Sequence, residues 1–155
     1  MPYYVHTFCR SDEIPSIDAL ETALRDDYPS TRIVTEQSRD SPTWRNAEVL
    51  YKEDRQPIVI EINVNDGPNS LAAEECEEFI QAIGRPGFSR AKSRVLNHLR
   101  HTRYIVSCQL FGDIDDDGYH LNGELLNHFA VHHGGLVQAD GEGFYSGHKI
   151  VVRVE

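Results

Sequence analysis

Apolar and polar positions alternate strictly through PIVIEINV, where Ile58, Ile60, Ile62 and Val64 share one side and Glu61 and Asn63 the other. A period of two predicts a strand with one buried face, and this segment carries it so cleanly that it is expected to be central in a sheet. Tyr3 to Cys9 alternates in the same way, with Tyr3, Val5, Thr7 and Cys9 on one side. Further strands are predicted over Thr31 to Gln37, pairing near the first, over AEVLYK, which forms a hairpin with PIVIEINV through EDRQ, and over Tyr104 to Phe111. LVQAD and HKIVVRV are expected to make a last hairpin across the glycine-rich turn GEGFYSG, with Ile150, Val152 and Val154 pointing inward. Phe144 and Tyr145 fall at the tip of that turn. Register is fixed wherever one face is buried. Ile58, Ile60, Ile62, Val64, Val106, Cys108, Ile150, Val152 and Val154 are therefore expected to share one buried sheet face.

Four segments switch to a helical period. Ile17, Leu20, Leu24 and Tyr28 form one stripe, with Ser16 as cap and Pro29 as stop. Ser70 opens a second helix whose apolar positions are Leu71, Ala72, Cys76, Phe79, Ile80 and Ile83, and GRPG ends it. A third runs from Ser89 to about Thr102, with Ala91, Val95 and Leu99 on its stripe. The fourth runs from about Tyr119 to His133, carries Leu121, Leu125, Leu126 and Phe129, and is ended by Gly134 and Gly135. Alternation and helical stretches together predict one α+β domain over residues 1–155: a two-layer arrangement of about seven strands in a mixed or antiparallel sheet, with about four helices on one face. Tyr3 to Gln37 and Tyr104 to Asp140 share an order of elements, which suggests two β-α-β-β units in one sheet.

Composition adds limits. The chain of 155 residues has a formal net charge of −10, which speaks against nucleic acid as a general partner, because phosphate binding needs concentrated Lys and Arg. No run of eighteen apolar residues occurs, and MPYYVHTFCR lacks a charged region followed by an apolar one, so neither a membrane span nor a signal peptide is expected. The expectation is a cytoplasmic protein with a protein partner or self-association. Cys9, Cys76 and Cys108 are odd in number and lack CxxC spacing, which points to buried free thiols. Against the acidic background, Arg85 to Arg103 holds six Lys or Arg and no acid. The antiparallel neighbour EECEE is expected to pair with it, an anion site being the alternative.

Chemistry concentrates in DIDDDGYHLNGE. From Asp113 as the first position, carboxylates stand at Asp113, Asp115 and Asp117, a glycine at Gly118 and a glutamate at Glu124. This spacing resembles an EF-hand calcium-binding loop over residues 113–124, departing at His120 and following a strand where that family has a helix. The resemblance implies Ca²⁺ held by Asp113, Asp115, Asp117, the Tyr119 carbonyl and Glu124. The alternative is an acid-rich turn that favours the start of the next helix. His128 and His132 stand one helical turn apart, but the Glu of HExxH is replaced by Phe129. No GxSxG, P-loop or GxGxxG is present. The expected function is therefore a small binding or regulatory domain rather than an enzyme. A hydrolase using carboxylates and histidines around residues 113–133, and an acidic neutralising partner of a basic protein, are the alternatives.

Overall fold

A computed structural model describes residues 3–154. Twelve elements follow one another: β1 (Tyr3–Cys9), α1 (Ile17–Arg25), β2 (Arg32–Val34), β3 (Asn46–Leu50), β4 (Ile58–Val64), α2 (Leu71–Ile83), α3 (Arg90–Arg100), β5 (Tyr104–Leu110), α4 (Asp116–His132), β6 (Gly135–Ala139), β7 (Gly143–Ser146) and β8 (Lys149–Arg153). The strands form one antiparallel sheet in the order β2-β3-β4-β5-β1-β6-β7-β8. The α+β class, the single domain and the four helices are as the periodicities predict. Eight strands rather than seven arise because GEGFYSG is not merely a turn: Phe144 pairs with Gln138 on one side and Val152 on the other.

Serines cap the first three helices as expected. The hydroxyls of Ser16, Ser70 and Ser89 accept the N–H groups of Ala19, Ala73 and Lys92, relieving donors that the first turn leaves unpaired. Trp44, fully buried, donates its indole N–H to the Pro15 carbonyl at 2.7 Å and plugs the space between α1 and the sheet. The three cysteines are free and buried.

The sheet is covered on both faces, so the expected two layers become three. In β1, Val5 and Cys9 point to the core shared with α1 and α4, whereas Phe8 points to the core shared with α2 and α3. In β5, Tyr104, Val106, Cys108 and Leu110 face the first core and Ile105 the second. Strands apolar on both sides require cover on both sides. The second core centres on Phe8, Phe79 and Phe144, whose rings lie 5.4–5.9 Å apart. Val152 and Val154 belong to this second core, so they do not share a face with Ile58, Ile60, Ile62, Val106 and Cys108. A bulge between Phe144 and Tyr145 shifts the register of the last hairpin.

Two further expectations change. β2 is an edge strand paired with β3, far from β1, because α1 carries the chain across the sheet before the β2-β3-β4 meander returns. The two halves do share an order, β-α-β-β-β, but the first meander runs inward to β5 and the second outward from β1. The helices α2 and α3 do pack side by side, through the apolar residues of the second core. No ion pair joins them among the described residues: Glu75 turns to His6 at 3.1 Å, and Arg103 pairs with Asp12. Arg90, Lys92, Arg94 and Arg100 are left without ion-pair partners among the described residues. No helix among those residues is long and apolar enough to cross a membrane.

Candidate functional site: a cavity between two helices

The acidic run starts α4 and fastens it to the β3–β4 connection. Asp115 is the N-cap, its Oδ1 accepting the Gly118 N–H at 3.0 Å. Lys52 Nζ lies 2.6 Å from Asp115 Oδ2 and 2.7 Å from Asp117 Oδ2, with Arg55 Nε 3.4 Å from Asp115. Hydrogen bonding to the Lys52 ammonium holds the Asp115 carboxyl down at about 2. Asp113 Oδ2 accepts the Gln56 N–H at 3.0 Å. The helix begins at Asp116, a turn earlier than the sequence suggests. Tyr119 is therefore already helical, its N–H on the Asp115 carbonyl at 3.0 Å. Glu124 lies roughly 12 Å further along the axis than Asp116. Of the five residues singled out as calcium ligands, Asp115 and Asp117 are brought together, around Lys52. Among the described residues no group of three or more His, Cys, Asp or Glu side chains is placed to hold a metal.

The histidines gather at the other end of α4. His128 and His132 have ring centroids 4.9 Å apart and His128 and His133 5.5 Å apart. His133 is buried and His132 exposed. Burial lowers the pKa values of His128 and His133, and the neighbouring imidazoles add to the effect. None of His120, His128 and His132 lines the cavity described next.

The principal cavity lies elsewhere, and its origin can be read from the strand ladder. β6 pairs with β1 along its whole length, but β7 pairs only with Val137, Gln138 and Ala139. Beyond Tyr145 the chain turns through Ser146, Gly147 and His148, Gly147 having φ +62°, and leaves Gly135 and Leu136 without a β7 neighbour. A cavity of about 740 Å³ occupies the gap, between α3 on one side and α4 on the other. That volume falls in the range of small-molecule sites, roughly 300–1,000 Å³.

From α4 the wall is the stripe Tyr119, Asn122, Gly123, Leu126, Asn127 and Ala130, next to the core stripe Leu121, Leu125 and Phe129. The helix can lie this close to β6 because Gly135 has no side chain: a Cβ there would stand 3.0 Å from the Phe129 backbone. Gly123 leaves its part of the wall open, with nothing within 4 Å of where a Cβ would be. Val5, Leu110, Val137, Ala139 and Val151 supply apolar surface.

Polar groups converge on the cavity from three elements. Asn122 is only 4% exposed, and its Oδ1 has no hydrogen-bond partner. Glu142, in the β6–β7 turn, accepts hydrogen bonds from the hydroxyls of both Tyr3 and Tyr145, one to each carboxylate oxygen. These bonds, that from Tyr145 foremost, pull the Glu142 carboxyl below its ordinary value. Burial, with the Glu142 bond next, raises Tyr3, and the same carboxylate raises Tyr145. On the α3 side His98 places Nε2 2.6 Å from the Phe8 carbonyl, and burial lowers its pKa.

The sequence carried one legible sign of this site. Asn122, Gly123, Leu126, Asn127 and Ala130 recur at three- and four-residue spacing beside the core stripe, which places them together along one side of α4. Glu142, Tyr3 and Tyr145 could not be associated without knowing that β6 and β1 are neighbours. Comparisons with protein-family models, with curated proteins and with solved structures gave no match to this chain.

Proposed function

We propose that this is a ligand-binding domain whose seat for a small organic molecule is the cavity between α3, α4 and the β6–β8 meander. One observation carries the reading: a cavity of about 740 Å³ is walled mainly by apolar side chains, with Asn122, Tyr3, Glu142 and Tyr145 among its few polar residues. Apolar walls with few convergent polar groups are the usual composition of such seats. The Tyr3–Glu142–Tyr145 cluster fits a binding role, since both tyrosines are held protonated and the carboxylate is occupied by them. The calcium reading concerns the Lys52-bridged start of α4 and would be a separate property of the same domain.

The test uses Nile red, an uncharged dye that fluoresces in apolar surroundings. Saturable binding with one dye per chain is expected. The variant Gly123→Leu should weaken it at least about tenfold, because Gly123 lines the cavity and nothing stands within 4 Å of where its Cβ would be, while the cooperative melt is retained because Leu is a better helix former than Gly. Equal binding by Gly123→Leu and the natural chain would refute the assignment.

A further inference from the structure

We propose that the ligand is an amphipathic acid, its anionic head at Arg94 and its apolar body directed along β6 towards Tyr145. This rests on the cavity being a ligand seat, and it follows from the charges in the wall. Arg94 and Glu142 are the lining side chains that carry fixed charge, Tyr, His, Asn and Ser making up the other polar groups. Glu142 has both oxygens engaged by Tyr3 and Tyr145. Arg94 has neither an ion pair nor a side-chain hydrogen bond among the described residues, and its neighbours on α3, Arg90, Lys92 and Arg100, are equally unpaired. The cavity therefore has a carboxylate engaged within the protein and, at its solvent-exposed edge, a guanidinium with no ion-pair partner among the described residues, free to take an anion.

The two charges also fix the direction of the ligand. Glu142 is held by Tyr3, where β1 begins, whereas His98, one turn after Arg94 on α3, bonds Phe8, five residues further along β1. That separation is roughly 17 Å along the strand. An anionic head at the Glu142 end would meet a like charge, and at the α3 end an opposite one. His98 cannot take the role of Arg94: its Nε2 is committed to a backbone carbonyl and burial disfavours its charged form. A guanidinium presents paired donors that match a carboxylate. Arg94 stands with α3 on the second-core side of the sheet, and the apolar wall of Val137, Ala139, Leu126 and Leu110 on the first-core side, so an apolar body reaches that wall through the gap that β7 leaves beside Gly135 and Leu136.

The experiment displaces Nile red from the full chain with two matched pairs, dodecanoate against dodecanol and naphthoate against naphthalenemethanol. In at least one pair the acid should compete better than its alcohol, by roughly tenfold, the worth of one charge-assisted hydrogen bond. Arg94→Gln should remove that preference, the acid and its alcohol then competing equally. Preference in the first pair identifies an acyl chain and in the second an aromatic acid. Gly123→Leu should block all four. If the dye binds and Gly123→Leu blocks it, but acids and alcohols compete equally or Arg94→Gln keeps the preference, the anionic head is wrong and the seat stands. If Gly123→Leu changes nothing, the seat itself is wrong. Arg94 is exposed on α3, so its replacement leaves folding intact, and a melting curve verifies it.

Discussion

The contact that brings α4 onto the sheet can be tested with a single methyl group. Gly135 of β6 lies under the last turns of α4, and a Cβ built there would stand 2.5 Å from Thr7 Cγ2 and 3.0 Å from the carbonyl carbon and oxygen of Phe129. Carbon atoms prefer about 3.5–4.0 Å, so both contacts must open. Rotation of Thr7 could relieve the first, although Thr7 is completely buried in β1 and branched at Cβ. No rotamer relieves the second, because it is backbone; the helix or the strand must move. Overpacking of this kind costs about 1–3 kcal/mol, and with two contacts, one of them rigid, Gly135→Ala should lose about 2 kcal/mol. With a urea m-value of about 2 kcal/mol/M, the denaturation midpoint should fall by about 1 M. Gly123→Ala is the internal control on the same helix. Its Cβ meets nothing within 4 Å, so it should raise the midpoint through the helix preference for Ala, worth roughly 0.5–1 kcal/mol. Adding Thr7→Ser to Gly135→Ala removes Cγ2 and should recover part of the loss, a non-additivity expected of touching residues. If Gly135→Ala loses less than about 0.5 kcal/mol, α4 does not rest on the strand backbone as described.

Two further outcomes follow from charge. His98, His128 and His133 all have pKa values lowered by burial in the folded chain. Below about 6.5 the unfolded chain takes up these protons first, so stability should fall from about pH 7.5 to about pH 5.5, levelling only once the folded values are passed. Urea midpoints at the two pH values check this; a midpoint that stays level would mean that the three rings are as solvated folded as unfolded. Glu75, raised by burial, works in the opposite direction at lower pH. At the start of α4, Lys52 supplies the positive charge between Asp115 and Asp117. Millimolar Ca²⁺ should therefore raise the melting temperature of Lys52→Met more than that of the natural chain, since the ammonium no longer competes. Equal shifts in the two proteins would show that Lys52 is not the competitor.

Strand and helix positions were legible wherever burial is one-sided and local chemistry agrees with it. Ile58 to Val64 and the three serine-capped helices are of this kind. β7 was hidden because Gly143, at φ +139°, and the bulge after Phe144 break the alternation that would announce it. The third layer was hidden because Phe8 and Ile105 read as polar-face intrusions in strands whose other face already explains the pattern. At the candidate site, the acidic run advertised itself through spacing, yet Lys52, sixty-three residues upstream of Asp115, was invisible as its counter-ion. The α2–α3 pairing was correctly anticipated from the short GRPG break, but its expected salt bridges were not, since charge pattern alone does not reveal which residues face the sheet. Arg94 shows the same limit: its charge is plain in the sequence, its place beside the cavity is not.

The position of β1 bears on how the chain reaches this structure. Both its neighbours come from late in the sequence: Phe8 pairs with Ile105 on one side and with Leu136 on the other. The β2-β3-β4 meander, by contrast, joins strands within about one loop of each other. During synthesis the meander can close as soon as it is made, while β1, with Phe8 and Cys9, remains an unpaired apolar strand until some hundred residues more have appeared. Loop closure over that span comes late and slows folding. The rate-limiting event should therefore be the insertion of β1 between β5 and β6, and substitutions in β1 should slow refolding where equally destabilising ones in β2 or β3 mainly hasten unfolding.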